Sequence, residues 1–245
     1  MINKDKSAVM FSRNTSRAKK EEFMRELNLQ RETVNDRYLG LPVYIGRSKM
    51  GVFAYLKDRI WQRIQGWKEK LSRTGKEVLI KAVAQAIPTF AMGCFDLTKD
   101  ICEQISKMIA RYWWSNQEKE NKMHWLSWEK LTEPKWAGGL GFRDIHAFNL
   151  AMLAKQGWRL IQNPESLCAQ VLKAKYYPSG NIFSAKKCAI LSYTWRSICR
   201  GLLTLSDGMI WRVGNGAAIK IWSDPWIPRD HTRRPITPRR RNLVT

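Results

Sequence analysis

The sequence predicts a mainly α-helical protein with a short N-terminal strand and a C-terminal β-hairpin. Apolar residues recur at spacings of three and four from Phe53 to Leu71 and from Ile101 to Tyr112, which is the period of an amphipathic helix. After Met209 the pattern changes to a period of two, which is typical of strands. With 245 residues, of which 44% are hydrophobic, the chain is long enough to bury a sizeable core.

The N-terminal region is expected to hold a strand, a helix and a tight turn. Residues 7–12 favour a strand, and residues 16–27 favour a helix with Thr15 or Ser16 as its N-cap. Residues 37–47 are expected to be extended around a tight loop, because three residues there disfavour a helix: Gly40, Pro42 and Gly46.

The middle of the chain predicts a series of helices, the first of which has basic edges. These helices are expected over residues 51–71, over residues 76–86, after Pro88, and over residues 98–114 with Thr98 as N-cap. On a helical wheel, basic residues border the apolar stripe of the first helix on both sides: Arg59, Arg63 and Lys70 on one flank, Lys57 and Lys68 on the other.

Residues 47–81 hold ten Lys and Arg against three acids, which favours collective contact with phosphates. The alternative for any one of these side chains is a structural position, with its aliphatic stem lying over the edge of the core.

The C-terminal half is expected to contain a polar loop, a glycine-rich turn and three further helices. In order, they occupy residues 115–122, 136–143, 144–162, 165–175 and 193–203. The first of these three helices is apolar around most of its circumference, so we expect it to be buried.

The period-two segment predicts a hairpin over residues 207–228. A three-residue turn at Gly214-Asn-Gly gives the better pairing of apolar side chains: Trp211 opposite Ile219 and Val213 opposite Ala217. Residues 229–245 follow with six arginines and are expected to form a basic linker.

The formal net charge of +22, from 43 Lys and Arg against 21 Asp and Glu, indicates a negatively charged partner. Nucleic acid is the first candidate. An anionic membrane is the second, but the sequence has neither a long uncharged apolar run nor a strongly amphipathic terminal helix, so we expect no membrane partner. Twelve tryptophans, several beside a basic residue as in Trp67-Lys68 and Trp211-Arg212, fit either nucleic-acid contact or core packing.

The five cysteines lack Cys-x-x-Cys spacing, and the N-terminus lacks the layout of a signal peptide. We therefore expect reduced thiols and an intracellular, nuclear protein.

The carboxylates do not form a catalytic pattern. Phosphodiester chemistry normally needs two or three carboxylates that converge on Mg²⁺, yet no Asp-Asp or Asp-x-Asp occurs. Residues 136–143 lack the Gly-Lys-Ser/Thr ending of a phosphate loop, and the three histidines are far apart in sequence. We expect no catalytic site, metal site or cofactor in this chain.

Eight short motifs follow one another along the chain. They are Lys6-Ser-Ala-Val-Met-Phe, Tyr38-Leu-Gly-Leu-Pro, Gly66-Trp-Lys, Gly75-Lys-Glu-Val-Leu-Ile-Lys-Ala-Val, Ala86-Ile-Pro-Thr-Phe-Ala-Met, His124-Trp-Leu-Ser-Trp, Gly138-Gly-Leu-Gly-Phe-Arg and Ile221-Trp-Ser-Asp-Pro-Trp. In this order the chain resembles plant LINE-type (non-LTR) retrotransposon reverse transcriptases over nearly its whole length. The resemblance is to the region downstream of that family's paired aspartates.

The resemblance implies a helical thumb-like bundle within five segments. These are an end-of-palm remnant with a primer-grip-like turn (1–47), a thumb-like region (48–122), a downstream helical region (123–206), the hairpin (207–228) and the basic linker (229–245). The catalytic aspartates and their Mg²⁺ would belong to a palm that lies upstream.

The resemblance also implies roles for individual residues. Lys6 matches a palm lysine that donates a proton to the pyrophosphate leaving group, and Tyr38, Leu39 and Gly40 match the turn near the primer grip. Trp61 remains a candidate for nucleic-acid contact. Other tryptophans in the recurring motifs are expected to be packing anchors: Trp125, Trp128, Trp136, Trp211, Trp222 and Trp226.

These observations predict a fragment of an RNA-directed DNA polymerase that is not an enzyme on its own. We expect it to bind RNA or DNA, such as a template-primer duplex, through the backbone and without sequence specificity. The expected binding residues are Tyr38, Leu39, Gly40, Lys57, Arg59, Trp61, Arg63, Lys68, Lys70 and Lys76. The alternative is a host-adopted, non-catalytic interaction or scaffold protein whose tryptophan-rich helices contact other proteins.

Overall fold

A computed structural model describes most of the chain and confirms a mainly α-helical fold. The described residues are 7–12, 14–33, 37–46, 48–67, 71–115, 123–185, 191–217, 219–229 and 232–236. The chain divides into an N-terminal unit, Met1–Tyr55, and a C-terminal unit, Leu56–Thr245.

The described part of the N-terminal unit includes a helix and a short hairpin. Helix α1, Arg17–Glu26, begins after Ser16 as predicted. Strands β1, Arg37–Tyr38, and β2, Leu41–Pro42, pair antiparallel, with Arg37 opposite Pro42 and Tyr38 opposite Leu41. The predicted strand at residues 7–12 is reduced to a parallel bridge between Val9 and Glu32.

The turn between β1 and β2 has two residues in the left-handed region. The φ angle is 52° at Leu39 and 81° at Gly40. A two-residue hairpin turn with positive φ at both positions matches the twist of its strands, so the predicted tight loop is confirmed. Leucine rarely adopts this conformation, because its β-carbon crowds the following carbonyl oxygen.

The next helices follow the predicted order. Helix α2, Lys49–Gln65, is followed by α3, Arg73–Leu79, which continues into a π-helical turn, Ile80–Ala84. After Pro88 come the short α4, Thr89–Met92, and the long α5, Lys99–Trp114. Most of the predicted apolar stripes are buried: Phe53, Leu56, Ile60 and Ile64 on α2, and Ile101, Ile105, Ile109 and Tyr112 on α5. The predicted end of the first helix is wrong, since α2 ends at Gln65 and Leu71 is exposed.

The remaining helices are each preceded by a capping side chain. They are α6, Trp128–Thr132, α7, Ile145–Gln162, α8, Leu167–Tyr176, and α9, Tyr193–Gly208. Ser127, Asp144, Ser166 and Ser192 accept hydrogen bonds from backbone N–H groups of the first turns. Helix α6 was not predicted, and α9 extends five residues beyond the predicted end.

The closest helix packing in the C-terminal unit joins α7 to α9. A β-carbon added at Gly201 of α9 would overlap the backbone of Leu153 and lie 2.5 Å from the nitrogen of Ala154, both on α7. One added at Gly157 of α7 would lie 2.6 Å from Cδ2 of Leu202 on α9. Each helix therefore places a glycine where the other helix approaches it.

Helices α7 and α9 also hold the connection between α4 and α5. Asn149 of α7 is fully buried, and its amide donates to the carbonyls of Met92 (3.0 Å) and Phe95 (2.9 Å) while its oxygen accepts from the Leu97 N–H (2.8 Å). Ser197 of α9 accepts from the N–H of Asp96 at 2.9 Å. Since these bonds satisfy otherwise buried backbone groups, they fix where α5 begins.

The glycine-rich motif forms a packed turn, as predicted. The N–H groups of Leu140 and Phe142 donate to the carbonyl of Leu131, and Lys81 donates to the carbonyl of Leu140 at 2.6 Å. A β-carbon at Gly139 would overlap the carbonyl of Glu133. Gly139 is therefore needed for close backbone approach, whereas Gly138 and Gly141 have positive φ angles of 84° and 65°.

The predicted C-terminal hairpin is wrong. Residues 209–217 and 219–229 form no strand; instead the Trp211 N–H donates to the carbonyl of Pro225 and the Lys220 N–H to the carboxylate of Asp224, both at 2.8 Å. Trp211 and Val213 are exposed, so the alternating side chains have no buried face that would set a strand register.

The prediction that tryptophans of the recurring motifs are packing anchors is correct for some and wrong for others. The ring of Trp128 stacks on Phe142 with centroids 5.5 Å apart, and Trp226 is half-buried and donates to the carbonyl of Ile221. In contrast, Trp125 is 77% exposed and Trp136 is 89% exposed. A motif shows that a residue recurs but does not show whether it is buried.

Substitution of Gly201 by alanine tests the α7 and α9 packing. We expect Gly201→Ala to lower the free energy of unfolding by about 1–3 kcal/mol, because the new methyl group overlaps the α7 backbone. Gly208, the last residue of α9, has no atom within 4 Å of its would-be β-carbon and provides the matched control. Gly208→Ala is expected to change stability by less than about 1 kcal/mol. Equal unfolding midpoints in urea for both variants would contradict this packing.

The cysteines offer a test of burial that depends on pH. Burial is the main cause that raises the pKa of the Cys102 thiol to about 12, whereas Cys168 is exposed. Since only the thiolate reacts, we expect iodoacetamide at about pH 8 to alkylate Cys168 and spare Cys102 in the folded protein. Peptide mass spectrometry reports both sites, and the denatured protein, labelled at both, is the control. Alkylation of both at similar rates in the folded state would show that Cys102 is not buried.

Candidate nucleic-acid interface

The predicted residues of α2 lie on two separate flanks of the helix. Arg59 and Arg63 are exposed and one turn apart on the first flank, which we call the Arg59 flank. Lys57 and Trp61 are one turn apart on the second, and Trp61 is 48% exposed. The helical wheel therefore placed these side chains correctly, and the structure does not bring the two pairs together.

The second flank of α2 meets α5. The Lys57 ammonium donates to Oε1 of Gln104 at 3.2 Å, and the Trp67 and Tyr112 rings have centroids 5.7 Å apart. The first contact joins α2 to α5, and the second joins α5 to the turn that follows α2. An amide oxygen carries no net charge, so this bond orients the Lys57 ammonium without neutralising it.

Two cations of α5 lie on the same side of that helix as Gln104 and were missed by the sequence analysis. Lys107 and Arg111 follow Gln104 at helical spacings of three and seven, and both are exposed. Lys107 pairs with Glu103 at 3.4 Å, but both side chains are exposed, so this ion pair is weak. Lys107 and Arg111 are four residues apart on the polar side of an amphipathic helix, and this spacing could have identified them in the sequence. We call Lys57, Trp61, Lys107 and Arg111 the α2–α5 surface.

Lys76 has a structural position instead of the expected surface position. Lys76 is only 9% exposed, and its ammonium donates to the carbonyl of Tyr112 at 3.3 Å and to the carbonyl of Ser115. Arg73 donates to the carbonyl of Trp113 at 3.2 Å. The last carbonyls of a helix carry partial negative charge, so these two side chains of α3 cap the C-terminus of α5.

The number of basic residues therefore overstates the charge available to a ligand. Arg73, Lys76 and Lys81 all donate to backbone carbonyls within the C-terminal unit. Arg59 and Arg63, by contrast, are exposed. Within α2 and α3, the strongest candidates for phosphate contact are the Arg59 flank and Lys57.

The other predicted residues belong to the N-terminal unit or fall outside the described residues. Tyr38 and Leu39 are 72% and 73% exposed at the hairpin turn of the N-terminal unit, where Gly40 completes the turn. The Arg37 guanidinium lies 4.0 Å from the centre of the Tyr55 ring, a cation–π contact within the N-terminal unit. Three further predicted residues fall outside the described residues: Lys6, Lys68 and Lys70.

The described segments show neither a metal-ligand cluster nor a membrane-spanning helix. Among them, no group of three or more His, Cys, Asp or Glu side chains is arranged to hold a metal ion. No helix in the same segments combines the length and the hydropathy needed to cross a bilayer.

Fold and charge together define a basic, mainly helical protein with exposed cations on neighbouring helices. No protein-family model matches the sequence. The chain is 40% identical over 143 residues to the uncharacterized mitochondrial protein AtMg00310 of Arabidopsis thaliana, covering 58% of this chain and 93% of that protein. It belongs to the family of that protein.

A second relative is much longer than this chain. The chain is 34% identical over 192 residues to the Arabidopsis thaliana protein named "Putative ribonuclease H protein At1g65750". The match covers 76% of this chain and 31% of that protein, so the chain spans about a third of this relative's length.

Replacement of Lys76 by methionine separates the capping role from ligand contact. Methionine keeps an aliphatic stem but removes the ammonium that donates to the Tyr112 and Ser115 carbonyls. We expect Lys76→Met to lower the free energy of unfolding by about 1–3 kcal/mol. Arg63→Met removes one exposed charge and is expected to change stability by less than about 0.5 kcal/mol. A Lys76→Met variant as stable as Arg63→Met would show that this ammonium does not cap α5.

Proposed function

We propose that this protein binds nucleic acids through their phosphate backbones, without sequence specificity. The proposal rests mainly on the exposed Arg59 and Arg63, which lie one turn apart on α2. Their planar guanidinium groups donate to phosphate oxygens, and the long stems reach from the helix into solvent. Contacts of this kind hold a duplex in position but carry no sequence information.

The α2–α5 surface supports the same proposal. Lys57 is oriented by Gln104, and Lys107 and Arg111 continue the positive charge along the neighbouring helix. Trp61, 48% exposed beside Lys57, adds a flat apolar ring to this surface. Cations spread over two helices suit an extended polyanion better than a small anion, because each binds a different phosphate.

We infer further that the chain is the thumb-like and downstream region of a LINE-type reverse transcriptase, with residues 48–122 holding the template-primer duplex. The eight ordered motifs support this inference, as does similarity to a relative whose name refers to ribonuclease H. In the resembled family the catalytic aspartates precede this region. We therefore expect no primer extension by this chain alone; extension by the purified chain with Mg²⁺ would contradict that expectation.

Exposed tryptophans favour a second function, as a host-adopted scaffold for protein contacts. Trp125 and Trp136 present large apolar rings outside the cationic surfaces described above. Aromatic side chains of this kind are enriched where proteins bind one another. A scaffold function would survive reversal of charge on α2, whereas nucleic-acid binding would not.

Charge reversal at the Arg59 flank tests the proposed function. We expect Arg59→Glu combined with Arg63→Glu to weaken duplex binding at least about tenfold. The slope of log affinity against log salt should become shallower by about 1.8, since each lost phosphate contact removes about 0.9. Fluorescence anisotropy of a labelled RNA–DNA hybrid across a salt series measures both quantities.

The matched control reverses two exposed charges of α8, Lys173→Glu and Lys175→Glu, and so produces the same change in net charge. We expect it to leave the slope nearly unchanged. If both double variants lose affinity equally, binding responds only to net charge and the assignment to α2 fails.

A further inference from the structure

The outward side of α7 carries an aromatic and basic group that the proposed function does not use. This helix was expected to be buried around most of its circumference, yet Trp158 is 42% exposed and Lys155 and Arg159 are exposed. Trp158 and Arg159 follow Lys155 by three and four residues, so the three side chains are neighbours on the helix surface. We call Lys155, Trp158 and Arg159 the α7 face.

The charge of the α7 face has no acidic compensation within its helix. The 18 residues of α7 contain no Asp or Glu. Asp144 precedes the helix at the far end and accepts from the N–H groups of His146 and Ala147. Arg159 reaches Oε1 of Gln156 at 3.5 Å, a long contact to a neutral amide that leaves its charge intact. The face therefore matches a negatively charged ligand.

The position of Trp158 follows from the packing of α7 against α9. Gly157 lies in that interface, so the next residue, turned by about 100°, falls outside it. Ala147 and Ala151 are the exposed residues on the same side of the helix and are too small to cover an indole ring. A flat aromatic surface is thus left accessible beside two cations.

We propose that the α7 face binds single-stranded nucleic acid, with a base stacked on Trp158 and flanking phosphates bound by Lys155 and Arg159. A base offers its flat face only when it is unpaired, whereas a duplex offers mainly phosphates and groove edges. The α7 face therefore differs in ligand from the α2–α5 surface and from the Arg59 flank. It extends the proposed function without depending on it.

Fluorescence anisotropy on the full chain tests this assignment with an oligo(U) RNA of about 16 nucleotides, the upper end of usual single-strand site sizes. We expect Trp158→Ala to weaken oligo(U) binding about five- to a hundredfold while duplex binding and the salt slope stay unchanged. Trp158→Phe, which keeps a stacking ring, should recover part of the loss. Lys155→Gln with Arg159→Gln should make the single-strand salt slope shallower by about 1.4.

The control is Trp136→Ala, since Trp136 is 89% exposed and, like Trp158, has a basic neighbour in the sequence. It is expected to bind oligo(U) as the wild type does. Unchanged oligo(U) affinity in Trp158→Ala, or an equal loss in Trp136→Ala, would overturn the proposal. The charge-reversed α2 variant should keep single-strand binding, so failure here and failure of the proposed function are separate results.

Discussion

The close approach of α7 and α9 at Gly157 and Gly201 is the constraint on which the arrangement of the C-terminal unit depends. A side chain at Gly201 would overlap the α7 backbone, so only glycine allows the two helices to meet at this distance. This approach lets Asn149 of α7 and Ser197 of α9 bond the same segment between α4 and α5. That segment fixes the start of α5. Arg73 and Lys76 of α3 cap the C-terminus of α5, which holds α3 beside that end.

This scaffold divides the basic residues into two groups with different consequences. Arg73, Lys76 and Lys81 donate to backbone carbonyl groups of the C-terminal unit, and loss of these side chains is expected to lower stability. Arg59, Arg63 and the α2–α5 surface face solvent, where their mutual repulsion disfavours folding but attracts a polyanion. A protein with a formal net charge of +22 therefore uses part of its charge internally and leaves the rest for a ligand.

Much of the helical fold was predictable, because the long helices carry strong local signals. The period of the apolar residues located α2 and α5, and Ser16 and Thr98 marked helix starts. The C-terminal hairpin was predicted wrongly because a period of two specifies a strand only when one side is buried, and Trp211 and Val213 are exposed. Helix α6 has only five residues, too few for a periodic pattern.

The sequence predicted that basic residues form the candidate site, but it did not predict correctly which basic residues belong to it. On a helical wheel Lys76 resembles any other basic residue at the edge of an apolar stripe, and only the end of α5 beside it reveals its capping role. Conversely, Lys107 and Arg111 gain significance from the Lys57–Gln104 contact, which brings α5 beside α2. Contacts between helices distant in sequence decided both cases.

The salt dependence of binding by the unmodified protein is the most direct test of sequence-independent binding to phosphate backbones. Two duplexes of unrelated sequence are titrated by fluorescence anisotropy over a series of salt concentrations. Because the proposed contacts involve several phosphates and no base edges, log affinity should fall with log salt at a slope of about −3 or steeper. The two duplexes should give the same slope and closely similar affinities. Binding that is insensitive to salt, or that strongly prefers one sequence, would contradict binding through the phosphate backbone.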